Sequence, residues 1–129
     1  MSGRYLLDTN IVIALFANDK PVLERLRQAD EVFLPCIVLG ELHYGARKSS
    51  RVESNLEKIE KFASSAVVLA CDGATAPHYG KLKSQLRQKG RPLPENDVWI
   101  AAIARQHDLT LVSRDSHFDE VEELPVQAW

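Results

Sequence analysis

The chain has 129 residues, 45% hydrophobic and 26% charged, with a formal net charge of -2. That is the composition of an ordinary soluble protein, and the length fits one domain over residues 1–129 that buries roughly two-thirds of its unfolded surface. No apolar run is long enough to span a bilayer, and Met1-Ser2-Gly3-Arg4 leads directly into a strand-like run with no signal-peptide pattern; a cytoplasmic location, away from membranes, is expected.

Residues 4 to 7 read as a short buried strand. Ile11 to Ala17 is almost wholly apolar and predicts a helix, with Asn10 placed to cap it. Val22, Leu23, Leu26 and Ala29 give the next helix its core face. Val32-Phe33-Leu34 predicts a second strand stopped by Pro35, and Ile37 to Ala46 a helix with Gly45 near its end. Val52, Leu56, Ile59 and Ala63 recur at helical spacing, with Glu57, Lys58, Glu60 and Lys61 outside. A third strand follows at Val67-Val68-Leu69, then a helix marked by Ala76, Tyr79, Leu82 and Leu86 and stopped by Gly90 and Pro92. Val98 to Ala104 is apolar nearly all round, which predicts a buried helix. Leu109 to Val112 is the fourth strand, and Leu124 to Val126 a short edge strand. Strands alternating with helices predict an α/β fold with a mainly parallel central sheet and helices on both faces. Right-handed crossovers then gather the loops that follow the strands along one edge.

Four acids stand at element boundaries: Asp8 after the first strand, Glu41 early in a helix, Asp97 at the front of the buried helix, and Asp115 after the fourth strand. Ligands bind at the carboxyl edge of such a sheet. Carboxylates crowded there resist ionising together, and a divalent cation with oxygen ligands relieves the repulsion. The pattern points to a Mg²⁺ or Mn²⁺ site that hydrolyses a phosphodiester. Each acid has a plainer alternative. Asp8 can cap the first helix, although Asn10 is available for that. Asp97 can answer the helix dipole, with Asn96 as the cap. Glu41 can pair with Arg47 or Lys48, and Asp115 can form a turn with Ser116. Ser113, Asp115 and His117 lie too close together in sequence for a Ser/His/Asp triad. His43 and His117 are expected in solvated or supporting positions, and Cys36 and Cys71 as reduced core residues. Lys81, Lys83, Arg87, Lys89 and Arg91 form one basic stretch, and Arg47, Lys48 and Arg51 a second. Either can hold phosphates or be a solvated face.

Four segments, taken in order, resemble the PIN-domain family and within it the VapC-type toxins of bacterial toxin–antitoxin pairs: Asp8-Thr9-Asn10-Ile11, Glu41-Leu42-His43-Tyr44-Gly45-Ala46, Asn96-Asp97-Val98-Trp99-Ile100-Ala101-Ala102, and Ser113-Arg114-Asp115-Ser116-His117-Phe118. The resemblance covers essentially the whole chain. It implies a Mg²⁺- or Mn²⁺-dependent endoribonuclease, a homodimer held inactive by a cognate antitoxin whose tail lies over the active-site groove. Asp8, Glu41, Asp97 and Asp115 fall on the family's acidic positions and Thr9 on its hydroxyl position.

On this reading Asp8 and Asp97 are the direct metal ligands, Glu41 holds the ion or its waters, and Asp115 is a ligand or orients the attacking water. Thr9, Lys83, Arg87 and Arg91 are the candidates for RNA contact. Attack by water leaves a 5′-phosphate and a 3′-hydroxyl, and single-stranded or looped RNA suits an acidic cleft better than a duplex. Ile11, Ile13, Leu15, Phe16, Ile37, Val38 and Leu42 exceed what one helix-on-sheet layer needs, so an antitoxin helix is expected between the helices that carry them. The alternatives are a receiver-like signalling or binding module with an acidic metal pocket, an aspartate-nucleophile phosphohydrolase, and a catalytically silent binder. A receiver wants paired acids after the first strand and a late lysine, where this chain has Asp8 alone and Ser113-Arg114. The phosphohydrolase wants a second acid where Asn10 stands.

Overall fold

Five parallel strands form one sheet in the order β3-β2-β1-β4-β5 in the computed structural model, which describes residues 3–129. They are β1 (Arg4–Leu7), β2 (Glu31–Pro35), β3 (Val67–Leu69), β4 (Thr110–Val112) and β5 (Val126–Gln127). The helices are α1 (Thr9–Phe16), α2 (Lys20–Gln28), α3 (Cys36–Arg47), α4 (Val52–Ser64), α5 (Ala76–Gln88) and α6 (Glu95–Gln106), with a 3₁₀ turn at Ser116–Glu120. β1 lies at the centre because its last residues, Leu6 and Leu7, are apolar in succession and fully buried, as a strand covered on both faces requires. Leu6 pairs in register with Phe33 of β2 and with Leu111 of β4.

The chain moves outward from β1 to β2 to β3, then crosses back over β1 to β4 and β5. Right-handed connections therefore put α1–α4 on one face and α5 and α6 on the other. The reversal of direction lies between β1 and β4. At such a switch point the loops leave the sheet in opposite directions and open a crevice at its carboxyl edge. α6 is the buried helix its composition predicts: Val98 and Ile100 to Ala104 are all inside. Its far end is tied to the start of α5 by the buried Thr75, whose hydroxyl donates to Gln106 Oε1 at 2.6 Å. Gly90 takes a φ of 69° just past the end of α5, a conformation that costs glycine little.

Several local expectations are corrected. Asp8, not Asn10, caps α1, which begins two residues earlier than its apolar run. Asn96 caps nothing: α6 begins at Glu95 after Pro94, with no side-chain cap. Pro35 is the last residue of β2, β4 begins at Thr110, and the final edge strand is Val126–Gln127. Cys36 and Cys71 are exposed free thiols, not core residues. Cys36 opens α3 just past β2 and Cys71 follows the edge strand β3, so both sit on the rim of the sheet. Ile11, Val38 and Leu42 are buried in the core and add nothing to an outer apolar surface.

Candidate active site

The ladder between β1 and β4 pairs Leu7 with Val112 and continues one residue further, since Asp8 N–H donates to the Val112 carbonyl at 3.0 Å. This brings Asp8 beside Ser113. The Asp8 side chain is 6% exposed. Its Oδ1 accepts from Thr9 N–H at 2.8 Å, and its Oδ2 accepts from Ser113 Oγ at 2.7 Å and Asn10 Nδ2 at 3.3 Å. A carboxylate offers about four lone-pair sites, so capping and ligation are compatible. Burial raises the Asp8 carboxyl above the usual range, against the pull of the Ser113 and Thr9 hydrogen bonds, and Asp115 adds to the rise.

Glu41 lies in the second turn of α3 and accepts a hydrogen bond from Thr9 Oγ1 at 3.2 Å. Partial desolvation of its carboxyl, with a contribution from Asp8, raises its pKa. Neither Arg47 nor Lys48 pairs with it among the described residues; the Lys48 ammonium sits over the Tyr44 ring at 4.5 Å. Asp97 lies in the first turn of α6, half-buried. Its carboxyl is pushed up to about 6, first by burial and then by the charges of Asp8, Asp115 and Glu41, with His117 opposing. Asp97 thus feels all three of the other acids, although the four come from four different segments.

Asp115 caps the 3₁₀ turn, accepting at Oδ1 from His117 N–H at 2.9 Å. His117 Nδ1 lies 3.0 Å from the same oxygen. Carboxylate oxygens of Asp97 and Asp115 and a ring nitrogen of His117 all fall within 4.8 Å of one another. Ser113 is no nucleophile of a triad: its buried hydroxyl donates to Asp8 while accepting from Asp115 N–H at 3.0 Å and Asn10 Nδ2 at 3.3 Å. Asn10 Oδ1 in turn accepts from Arg114 N–H at 3.1 Å. Ser113 and Asn10 are positioning residues that the sequence reading missed. The signal for Ser113 was its place one residue past β4, level with Asp8.

Residues 5–124 match the PIN domain family. The chain is 38% identical to the ribonuclease VapC2 of Haemophilus influenzae over 98% of both chains. It is 37% identical to the tRNA(fMet)-specific endonuclease VapC of Shigella flexneri, again over 98% of both. The chain is a PIN-domain protein of the VapC ribonuclease family. Its fold superposes on the structure of VapBC2 from Rickettsia felis bound to a promoter DNA fragment, with a TM-score of 0.91, 30% identity and 98% of each chain covered.

The other predicted contact residues of this VapC-family chain flank the acids with unequal freedom. Thr9 is engaged with Glu41. The Lys83 ammonium is held by Glu95 at 3.1 Å and by the Tyr79 hydroxyl at 3.0 Å, so much of its charge is already answered. Arg91 lies 3.9 Å from Glu120. Arg87 has no ion-pair partner among the described residues and lines a cavity of about 350 Å³ with Lys83, Pro92, Leu93, Glu95 and Val98. On the other side of the acids, a groove of about 270 Å³ runs between α1, α3 and α4. Its walls are Ile13, Phe16, Leu42, Gly45, Ala46 and Ile59, and it ends at Thr9 and Glu41. Ile13 is 56% exposed there. The apolar surface is therefore made by Ile13 and Phe16 with α4, in place of the wider set expected from sequence.

Proposed function

We propose that this protein, a single nuclease domain over residues 1–129, is a Mg²⁺- or Mn²⁺-dependent endoribonuclease toxin, homodimeric and cytoplasmic, restrained by a cognate antitoxin. The observation that carries the metal reading is geometric: carboxylate oxygens of Asp97 and Asp115 lie within 4.8 Å of each other, and Asp8 and Glu41 lie close enough to Asp97 for their charges to add to the effect of burial on its carboxyl. Oxygen donors crowded to that degree fit a hard divalent cation. Asp8 and Asp97 would hold the ion, and Glu41 would hold the ion or its waters. When bound, such an ion polarises the scissile phosphate and makes water more acidic. Asp115, fixed by Ser113 and by its own turn, orients the attacking water and accepts its proton. Ser113 and Asn10 hold Asp8 in place, so the ligand geometry is set before RNA arrives. In-line attack by water leaves a 5′-phosphate and a 3′-hydroxyl.

Arg87, which lines the cavity at the front of α6, contacts the RNA backbone, with Lys83 and Arg91 adding field more than direct contacts. Because the Shigella flexneri relative is named for tRNA(fMet), initiator tRNA is the first substrate to try. The antitoxin lays an apolar helix in the groove beside Ile13 and Phe16, and a basic side chain at its end reaches Glu41 and Asp8. A receiver-like module is disfavoured because Ser113 is consumed in positioning Asp8 and the late basic residue, Arg114, points away to Asp19 and the Trp129 carbonyl. Calorimetric titration with Mg²⁺ and Mn²⁺ tests the metal reading: binding should weaken at least tenfold, as an order of magnitude, in Asp8→Asn and Asp97→Asn. Unchanged affinity in both variants would remove the proposed ligands.

A further inference from the structure

We propose that His117 is a direct nitrogen ligand of this cation site and shifts its preference from Mg²⁺ towards Mn²⁺. The inference rests on the metal reading above and goes beyond the four acids. Its ground is geometric. One ring nitrogen of His117 and one carboxylate oxygen from each of Asp97 and Asp115 lie within 4.8 Å of one another. Neighbouring ligands of a six-coordinate ion of this size are about 3.0 Å apart and opposite ones about 4.2 Å, so closure of up to about 2 Å by side-chain rotation brings the three groups onto one ion.

The position of His117 is also built, not incidental. Phe118, the next residue, is fully buried and anchors the 3₁₀ turn in the core. Asp115 caps the same turn through His117 N–H. The ring is oriented by the 3.0 Å approach of Nδ1 to Asp115 Oδ1. The backbone, the cap and the ring thus direct an exposed imidazole towards the gap between Asp97 and Asp115. Both of these residues sit at the switch-point crevice beside β4.

The consequence for metal choice follows from ligand chemistry. Mg²⁺ demands near-ideal octahedral geometry and takes oxygen ligands. Carboxylates suit Mn²⁺ as well as Mg²⁺, whereas imidazole suits transition ions. A site of carboxylates with one imidazole therefore keeps its affinity for Mn²⁺ and gains little from the imidazole with Mg²⁺. His43, the other histidine near an acid in sequence, is exposed on α3 and outside the cluster.

The test is pulsed electron paramagnetic resonance on full-length protein loaded with Mn²⁺, using chain with ¹⁴N or ¹⁵N histidine. Directly bound imidazole nitrogen modulates the Mn²⁺ echo, and its frequencies change with the isotope. We expect the modulation in wild type and in His43→Gln, and its loss in His117→Gln and His117→Asn while Mn²⁺ still binds. Competition titration should show the Mn²⁺ to Mg²⁺ affinity ratio falling on the order of tenfold in His117→Gln. Mn²⁺ bound without histidine modulation in wild type, or modulation that survives both His117 variants, overturns this inference and leaves the carboxylate site standing. Failure of Mn²⁺ to bind, or binding indifferent to Asp97→Asn, overturns the inference and the metal reading together.

Discussion

Asp97→Asn should make the metal-free protein more stable at neutral pH, although it removes a residue of the candidate active site. The Asp97 carboxyl is pushed up to about 6, about two pH units above an ordinary aspartate, and each unit corresponds to about 1.4 kcal/mol. Holding Asp97 ionised at pH 7.5 in the folded state thus costs at most about 3 kcal/mol relative to the unfolded chain, and about half of that once solvent screening of this half-buried carboxyl is allowed for. Asparagine keeps the shape and removes the charge. It also gives up the attraction between a negative group and the first turn of α6, about 0.3–1 kcal/mol. The balance favours the variant by roughly 0.5–1 kcal/mol, which for a chain of 129 residues is about 2–4 °C in Tm. The pH dependence has a definite sign. Below about pH 4 Asp97 is protonated in both states and the difference vanishes. Between about pH 4 and 6 the unfolded chain ionises while the folded one resists, so wild type loses stability relative to the variant as pH rises. Above about 6 the gap is complete and flat. Thermal and urea denaturation in chelator, from pH 4 to pH 8, measures this. A variant no more stable than wild type at pH 7.5, or a gain that does not change with pH, would refute the claim that burial and the neighbouring acids raise the Asp97 carboxyl.

Mg²⁺ or Mn²⁺ should raise the Tm of wild type by mass action and raise that of Asp97→Asn far less; equal shifts would place the ion elsewhere. Ser113→Ala strips a buried Asp8 oxygen of its 2.7 Å donor and should cost about 1–3 kcal/mol by urea denaturation at pH 7, while Ser113→Thr should retain much of the interaction. Ile13→Asp, on the exposed wall of the groove, should weaken antitoxin binding at least tenfold, on the order of the cost of losing one apolar anchor, and leave RNA cleavage by the free protein unchanged. Cys36 and Cys71 are both exposed and should react with a thiol reagent in the native state, with Cys71 slower at neutral pH because burial and the neighbouring Cys36 raise its thiol pKa.

The fold was legible because its signals are short and local: apolar runs of strand length, helical recurrence in α4 and α5, and the all-apolar stretch of α6. The convergence of the acids was legible too, since an alternating chain sends the ends of its strands to one edge. What escaped depends on register. Asn10 and Asp8 are both good capping residues, and only the pairing of Leu7 with Val112 decides that Asp8 caps α1 while Asn10 reaches across to Ser113 and Arg114. The same register puts Ser113 against Asp8, a contact over 105 positions of sequence. The closeness of the His117 ring to Asp97 and Asp115 is set by a turn whose anchor, Phe118, shows no sign of its burial in the local pattern. The apolar residues of α1 and α3 read as an exposed surplus, yet Ile11, Val38 and Leu42 face the core; which face of a nearly all-apolar helix turns inward is settled only by its neighbours. Two exposed cysteines defied a burial preference because each stands just past the end of a strand.

The most direct test of the account is end-mapping of RNA cut by the purified, antitoxin-free protein, with initiator tRNA and an unstructured RNA as substrates. The account predicts cleavage in Mg²⁺ or Mn²⁺, none in chelator, none with Asp8→Asn, and products bearing a 5′-phosphate and a 3′-hydroxyl. Cleavage that persists in chelator, or that leaves a 2′,3′-cyclic phosphate, would contradict it, because the ribose hydroxyl and not a metal-assisted water would then be the nucleophile.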